Sequence, residues 1–265
     1  MRVATWNINS VRLRIDLVLR FLAEYQPDIL CLQETKVIDD LFPLKPIQEA
    51  GYDHTAIAGM KSYNGVAILS RLPLDPIPGQ SWCGKDDCRH IAARLGDGTE
   101  IHNFYIPAGG DVPDRKVNDK FAHKLDFVDS MAAWWPAQHA ADKPLIAVGD
   151  FNIAPLEHDV WSHKQLLSVV SHTPIEVEKL TAMQASINWT DAVRHFVPED
   201  EKLYSWWSYR ARDWSASDKG RRLDHIWVTE PLKPKLKSAQ VLRPARGWDP
   251  KPSDHAPVIV DLDPA

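Results

Sequence analysis

The sequence predicts a mixed α/β fold. Short apolar and β-branched runs recur along its 265 residues, namely RVATW, DILCLQ, GVAILS, EIHNFYI, PLIAVGD, DHIWVT and APVIVDL. Each has the length of a strand and is bounded by turn residues. Stretches with helical spacing lie between them, and such alternation builds sheets covered by helices. Polar residues also gather just where the strand-like runs end: Asn7 after RVATW, Glu34 after DILCLQ, Tyr105 within EIHNFYI, and Asp150 with Asn152 after PLIAVG. A sheet collects such ends at one rim, the usual place for a site in folds of this class.

Taken in order, the first helix is predicted between the first two strands, because Ile15, Val18, Leu19 and Leu22 fall on one face at the i, i+3, i+4, i+7 spacing. Pro27 marks the turn into the second strand. A second helix is expected over about Asp119 to Trp135 and a third over about Ile175 to Ile187. The proline-rich segments Leu72 to Pro78, Pro231 to Pro234 and Pro244 to Pro252 read as loops between strands. No Gly/Ser-rich linker divides the chain and no short repeat organises it, so one domain is expected over residues 1–265.

Composition narrows the function classes. No apolar run approaches the roughly 20 residues of a membrane span, and the opening MRVATWNINSVRLRI lacks the apolar core of a signal peptide. A cytoplasmic protein without membrane association is expected. Cys31, Cys83 and Cys88 are too few and odd in number for a disulfide framework, and Cys83 with Cys88 lack the second pair that a structural zinc site needs. The formal net charge of −5 speaks against a nucleic-acid partner. Distribution matters more than the sum, however, since metal-binding carboxylates lower the total without describing the surface around them. Two basic stretches stand out, Arg210, Arg212, Lys219, Arg221 and Arg222 in one region and Lys233, Lys235 and Lys237 in another. Each also fits an ordinary solvated face.

A carboxylate at one strand end is unremarkable, but here several occur together. Glu34, Asp150, Asp224 and Asp254, the amides of Asn7 and Asn152 and the imidazole of His255 are the hard oxygen ligands and acid–base groups of magnesium-assisted phosphate chemistry. Hydrolysis of a phosphodiester places charge on the non-bridging and leaving oxygens, where His255, Asn152, Tyr105 and a cation could converge. The attacking water needs a base, and Asp150 is the natural candidate, with Asn152 two residues on to hold the same water. An imidazole needs a carboxylate to set its tautomer, and either Asp224 or Asp254 could serve His255.

The segments TWNINSVRLR, PDILCLQETKVIDDLFP, NFYIPAG, PLIAVGDFNIAP, YSWWSYR, RRLDHIWVT and KPSDHAPVIV resemble, in order and spacing, the signature segments of the exonuclease III family of abasic-site endonucleases. The likeness covers nearly the whole chain. LQETK, GDFN and SDH are shared with a wider superfamily that includes DNase I and inositol polyphosphate phosphatases, whereas ETKVIDDLFP, NFYIPAG and YSWWSYR point to its DNA-repair branch. The resemblance implies a DNase I-like four-layer α/β sandwich, two packed mixed sheets flanked by helices. It implies cleavage of DNA 5′ to abasic sites leaving a 3′-hydroxyl, with 3′-to-5′ exonuclease and 3′-end cleaning activity. The expected cofactor is Mg2+, with Mn2+ as a substitute. The expected partner is double-stranded DNA carrying abasic sites or blocked 3′ ends, bound by a monomer.

Carried over residue by residue, the resemblance assigns Glu34 as the principal metal ligand with Asn7 beside it, Asp150 and Asn152 to the attacking water, and Asp224 to His255. His255 would contact the scissile phosphate, Asp254 would support the metal side, and Tyr105 would favour departure of the 3′-oxygen. Asp150, Asn152 and His255 also belong to the implied metal surroundings. Trp206, Tyr209, Arg210, Arg221 and Leu223 would line the lesion pocket, with Trp206 and Ser208 on one strand face and Trp207 and Tyr209 on the other. The chain departs from the pattern twice. Arg221 stands where relatives carry an apolar or aromatic wall residue, and the loop after NFYIPAG continues Gly110-Asp111 without the arginine that some relatives insert into DNA. Two other classes compete. A phosphatase of small phosphate esters has no obvious use for the aromatic run Tyr204 to Tyr209, and a non-catalytic DNA-binding module would show gaps in the catalytic set.

Overall fold

Strands with alternating apolar residues have two faces to bury, and this chain buries both. The computed structural model describes residues 1–140 and 142–263. In chain order the elements are β1 (Arg2–Asn7), α1 (Ile15–Tyr25), β2 (Ile29–Gln33), α2 (Leu44–Glu49), β3 (His54–Ala58), β4 (Val66–Ser70), β5 (Leu74–Ile77), β6 (His90–Leu95) and β7 (Glu100–Tyr105). There follow α3 (Asp119–Gln138), β8 (Leu145–Asp150), α4 (His163–Leu166), α5 (Pro174–Ala185), β9 (Thr190–Asp191), β10 (Trp206–Trp207), α6 (Trp214–Ser217), β11 (Gly220–Arg221), β12 (Asp224–Val228), β13 (Leu236–Val241) and β14 (Val258–Leu262). Two six-stranded mixed sheets form, ordered β13-β14-β1-β2-β4-β3 and β5-β6-β7-β8-β12-β9, and β10 pairs with β11 in a separate ribbon.

The sheets stack face to face, with β1 over β8, β2 over β7 and β4 over β6. Val3, Ile29, Cys31, Ile68, Ile101, Ile146, Val148, Ile226 and Val260 fill the space between them. Their neighbours in sequence point the other way. Ala4, Trp6, Leu30 and Leu32 pack on Phe21 and Leu22 of α1, while Phe104, Leu145, Ala147 and Trp227 pack on Phe127, Met131 and Trp135 of α3 and Leu180 of α5. The result is the expected four-layer sandwich. Among the described residues no helix is long and apolar enough to cross a membrane.

The three expected helices form at Ile15–Tyr25, Asp119–Gln138 and Pro174–Ala185. The segment Leu72 to Pro78 is not all loop: it contains β5, which has only β6 for a neighbour. Pro76 is accommodated because an edge strand can turn its missing donor toward solvent. Arg222 also departs from the expected basic face. It is buried and paired with Asp159 at 2.8 Å and Asp191 at 2.5 Å.

One polar contact crosses the apolar interface between the sheets. Asn103 of β7 donates to the carbonyls of Leu32 and Ala67, both at 2.9 Å, and accepts from the Gln33 amide at 2.7 Å. Gln33 also donates to Thr5 Oγ1 at 2.8 Å. Asn103 is fully buried, and it clamps the two sheets one residue from Glu34 on one side and two from Tyr105 on the other. Asn103→Leu strands two buried carbonyls and one amide, each costing about 1–3 kcal/mol. The expected loss is therefore about 3 kcal/mol or more, read from the midpoint of urea unfolding; a loss below about 1 kcal/mol would mean that the clamp adds nothing.

Candidate active site

The site begins as a set of strand ends. Asn7 closes β1, Glu34 follows β2, Tyr105 and Asp150 close β7 and β8, and Asp224 opens β12. Parallel pairing sets Tyr105 beside Asp150, and antiparallel pairing sets Asp224 on its other side. His255 and Asp254 precede β14, where a bridge ties His255 to Trp206. The strands reach these positions through constrained backbone. Glu34 and Asn152 lie in the left-handed region at φ 50° and 54°, which asparagine tolerates but which is uncommon for a glutamate. Gly149 must be glycine for a different reason: at φ 138° a Cβ there would sit 1.9 Å from the Phe104 carbonyl oxygen.

The Asn7 amide joins the two sheets. Its Nδ2 donates to Glu34 Oε1 and to Asp150 Oδ2, both at 2.9 Å, while its Oδ1 accepts from the Asn9 backbone N–H at 3.1 Å. In this arrangement the Asn7 amide holds the two carboxylates together. Glu34 Oε1 also accepts from the Tyr105 hydroxyl at 2.9 Å, and its Oε2 lies 2.7 Å from the ammonium of Lys36. Although burial raises a carboxyl, Lys36 and the Asn7 amide more than offset it and hold Glu34 below its ordinary range. Burial, with the charges of Glu34 and Asp150, keeps Tyr105 protonated far above its usual value.

Beside this pair lies an acid–imidazole–acid arrangement. His255 Nδ1 lies 2.8 Å from Asp224 Oδ2, and its Nε2 lies 3.7 Å from Asp150 Oδ2. Asp224 Oδ2 accepts from the Ser205 hydroxyl at 2.6 Å, whereas Oδ1 is buried without a partner. Burial would lower the imidazolium, but the charges of Asp224 and Asp150 outweigh it and push His255 up to about 10. Asp150 moves the opposite way for a carboxyl in an ion pair: burial dominates, His255 offsets only part of it, and the group rises to about 7. At neutral pH the cluster thus holds a charged imidazole beside a carboxyl poised to gain or lose a proton.

Asp254 does not hold His255. Its two oxygens accept from the Trp206 indole at 2.9 Å and from the Asn9 amide at 3.1 Å, so it anchors the aromatic wall. Asn152 donates to the Ile106 carbonyl at 2.9 Å through Nδ2, and its own carbonyl takes 2.7 Å from the fully buried Lys124, which pairs with Glu176. Glu34, Tyr105, Asp150, Asn152, Asp254 and His255 line one cleft of about 670 Å³, which also includes Trp161, Trp206, Trp214, Lys219, Arg210, Arg221 and Leu223, while Asn7 and Asp224 are not part of its lining. Tyr209 is not part of that lining either. It lies past the end of β10, where its hydroxyl accepts from Arg14 at 2.9 Å and donates to the Pro252 carbonyl at 2.8 Å. Trp207 is buried, with its indole on Asp218 at 3.0 Å.

The sequence reasoning missed Lys36, Ser205, Lys124 and Trp161. Lys36 was visible as the cation two residues after Glu34; the others are brought in by tertiary packing and carry no local signal. Two carboxylates bridged at a rim, with one cation, Lys36, already drawn to Glu34, form a donor set suited to a hard dication. Among the described residues two groups of three acids and imidazoles come close enough to share an ion, Asp150 with Asp224 and His255, and Glu100 with His102 and His139; the latter lies outside the cleft, and Glu100 there is already paired with Arg94 and Lys143.

Residues 4–255 match the Endonuclease/Exonuclease/phosphatase family. An exodeoxyribonuclease III from Haemophilus influenzae is 27% identical over 99% of this chain and 100% of its own length. Among solved structures, an AP endonuclease from Archaeoglobus fulgidus superposes with a TM-score of 0.92 at 30% identity, covering 100% of both chains. A 3′ phosphatase from Neisseria, bound to product DNA hairpin, superposes with a TM-score of 0.89 at 30% identity over 99% of both chains.

The geometry makes a direct prediction for the imidazole. Its NMR resonances should show His255 protonated from neutral pH up to about 10, and Asp224→Asn should move that titration down by roughly 1–3 units through loss of the adjacent charge. An unchanged midpoint in the variant would remove Asp224 as the partner that sets the charge of His255.

Proposed function

Because the chain belongs to the endonuclease/exonuclease/phosphatase family, we propose that this cleft is the active site of a metal-dependent DNA repair phosphodiesterase that cuts 5′ to abasic sites and leaves a 3′-hydroxyl. Removal of nucleotides or blocking groups from 3′ ends uses the same bond and the same groups. The observation that carries the reading is the convergence of Glu34, Tyr105 and Asp150, drawn from two different sheets, with His255 in one cleft walled by tryptophan. The likeness to an AP endonuclease and to a 3′ phosphatase seen with DNA supports double-stranded DNA as the substrate. The reading takes the enzyme to act as a monomer in the cytoplasm.

Glu34 and Asp150 are the residues that would hold a divalent ion, Mg2+ in this reading with Mn2+ able to replace it, and the ion supplies positive charge to the phosphate oxygens. The remaining chemistry belongs to the side chains. His255, charged through Asp224, donates from Nε2 to a non-bridging oxygen and stabilises the charge that grows there. Asp150, with a pKa near 7 and Asn152 fixed two residues on, accepts the proton of the attacking water. Tyr105 stays protonated and can donate to the departing 3′-oxygen. Trp206, anchored by Asp254 and leaning on Leu223 within the same apolar cluster, presents a flat wall to a sugar turned out of the helix.

The deciding experiment offers a labelled duplex with one abasic-site analogue, with and without a chelator, beside an intact duplex and an inositol phosphate. Chelator-sensitive incision of the abasic duplex alone is expected, and turnover of the inositol phosphate would overturn the reading. Asp150→Asn should slow incision by about 10² to 10⁴ fold while DNA binding is retained or strengthened, since one negative charge facing phosphate is gone. A variant keeping a tenth of the rate would remove Asp150 as the base. Glu34→Gln should raise the Mg2+ concentration needed for half-maximal rate, and superimposable titrations would exclude Glu34 as a ligand. Without a metal Asp150 is raised to about 7 and His255 to about 10; a dication bound beside them lowers both, so the acidic limb of kcat/KM, where the base loses its proton, should lie below 7, and the alkaline limb, where the imidazolium loses its own, below 10.

A further inference from the structure

Two helices of the outer layer reach beneath the cleft and meet there. Lys124 of α3 and Glu176 of α5 are both fully buried, with Lys124 Nζ 2.5 Å from Glu176 Oε1. The ammonium also donates to the Asn152 carbonyl at 2.7 Å and to the Ala108 carbonyl at 3.3 Å, so its three N–H groups meet three acceptors. Glu176 is as completely engaged. Both its oxygens accept from the Ser171 N–H at 2.9 Å, and Oε2 accepts in addition from the Thr173 N–H at 3.1 Å and the Thr173 hydroxyl at 2.7 Å.

The backbone groups that this pair holds belong to the cleft. Ala108, Asn152 and Ser171 all line it, and they come from three separate segments, after β7, after β8 and before α5. Ser171 stands at φ 88° and Asn152 at 54°, and a serine keeps a positive φ only where its surroundings enforce it. Gly109, at φ 89°, passes so close over Lys124 that a Cβ there would lie 2.8 Å from Cδ. Asn152 has its N–H on Asp150 Oδ1 at 2.9 Å, its Nδ2 on the Ile106 carbonyl at 2.9 Å and its carbonyl on Lys124, which leaves Oδ1 to face the cleft. On the other side Ser171 Oγ accepts from Arg221 at 2.8 Å, so the same frame extends into the wall.

A buried ion pair is a poor source of stability, because both charges leave water to form it. Its return is direction: a charge without water around it tolerates few arrangements of its partners. Building on the reading of the cleft as a DNA phosphodiesterase site, we propose that Lys124 and Glu176 are positioning residues for the reaction, a buried strut that aims Asn152 beside Asp150 at the attacking water and fixes that floor to the Ser171 wall. Neither touches substrate. The pair acts through the Asn152 carbonyl at one end and the Ser171 N–H at the other.

The test compares Lys124→Met, Lys124→Arg and the double variant Lys124→Met/Glu176→Gln with the unaltered enzyme. Lys124→Met leaves a buried carboxylate unpaired and destabilises the fold, whereas the double variant removes both charges. Incision of the abasic duplex is followed in a single turnover with enzyme in saturating excess, where the rate constant does not depend on how much enzyme is folded. It should fall by about 10²-fold in Lys124→Met and in the double variant, the scale of a misplacement of about 1 Å, while the Kd for the duplex stays unchanged and Lys124→Arg recovers part of the rate. By NMR, without substrate or metal, the Asn152 side-chain amide protons should exchange with solvent faster in the slow variants. A lower urea midpoint with an unchanged rate constant would assign the pair to the fold alone and overturns the proposal, as does a loss carried by Kd alone or failure of all three variants to fold. If the unaltered enzyme does not cut the abasic duplex, the phosphodiesterase reading falls instead, and exchange of the Asn152 amide still decides whether the pair positions it.

Discussion

The constraint on which the site depends is the registration of two sheets that share no backbone hydrogen bond. Apolar packing between them is non-directional and tolerates sliding, whereas the chemistry requires Glu34 of one sheet to meet Tyr105 and Asp150 of the other within hydrogen-bond reach. Asn103 supplies the missing direction. Its side chain reaches across the core to two carbonyls of the opposite sheet, and Gln33 reaches back to it. In a region otherwise filled by valine and isoleucine, an unpaired amide would be costly, so the polar contact makes one alignment of the sheets preferable to its neighbours. Asn7, at the rim, repeats the device with carboxylates as acceptors.

Crowding acids is the second requirement, and it is met by dividing the positive charge. Glu34 is balanced by Lys36, Asp224 by His255, and Asp254 by the charge of His255 together with neutral donors from Trp206 and Asn9. Asp150 is buried more deeply than Glu34 or Asp254 and faces the like charges of Asp224 and Glu34, against a 3.7 Å approach to His255 and two neutral N–H donors. That inequality is why burial raises Asp150 to about 7 while Glu34 and Asp254 are held low. Four similar side chains therefore acquire different tasks from their neighbours alone, which is the general route by which one cleft holds both ligands and a base.

Much of this was legible in the sequence because the central strands announce themselves. β1, β2, β4, β7, β8, β12 and β14 are largely buried on both faces, and the ends of several carry the chemistry. β3, β5, β9 and β13 are the outer strands of their sheets, and each has a half-exposed pattern that resembles a loop. β6 was missed for another reason: its pairing partners, not its own composition, make it a strand. Side-chain partners were the least legible feature. Spacing left Asp224 and Asp254 equivalent as companions of His255. Only the antiparallel register that sets Asp224 opposite Asp150, and the bridge that brings Trp206 to His255, separate their roles. Tyr209 lies beyond the strand, and its hydroxyl is held by Arg14 and the Pro252 carbonyl, partners that carry no local signal in the sequence.

The acidic net charge of −5 is consistent with a polyanionic substrate once the position of each charge is known. The acids at the cleft floor are matched to a cation and to one imidazolium, so they repel DNA less than their number suggests. Around them the wall carries Arg210, Lys219 and Arg221, and among the described residues none of these is ion-paired. The one arginine of that stretch that is buried and neutralised, Arg222, instead joins Asp159 to Asp191 beneath the wall and carries the backbone that aims its neighbour. Alternation along two residues thus gives one guanidinium to the fold and the next to the cleft. A basic run in a sequence cannot be summed as a surface; its contribution to phosphate binding is set by which of its members lack a carboxylate.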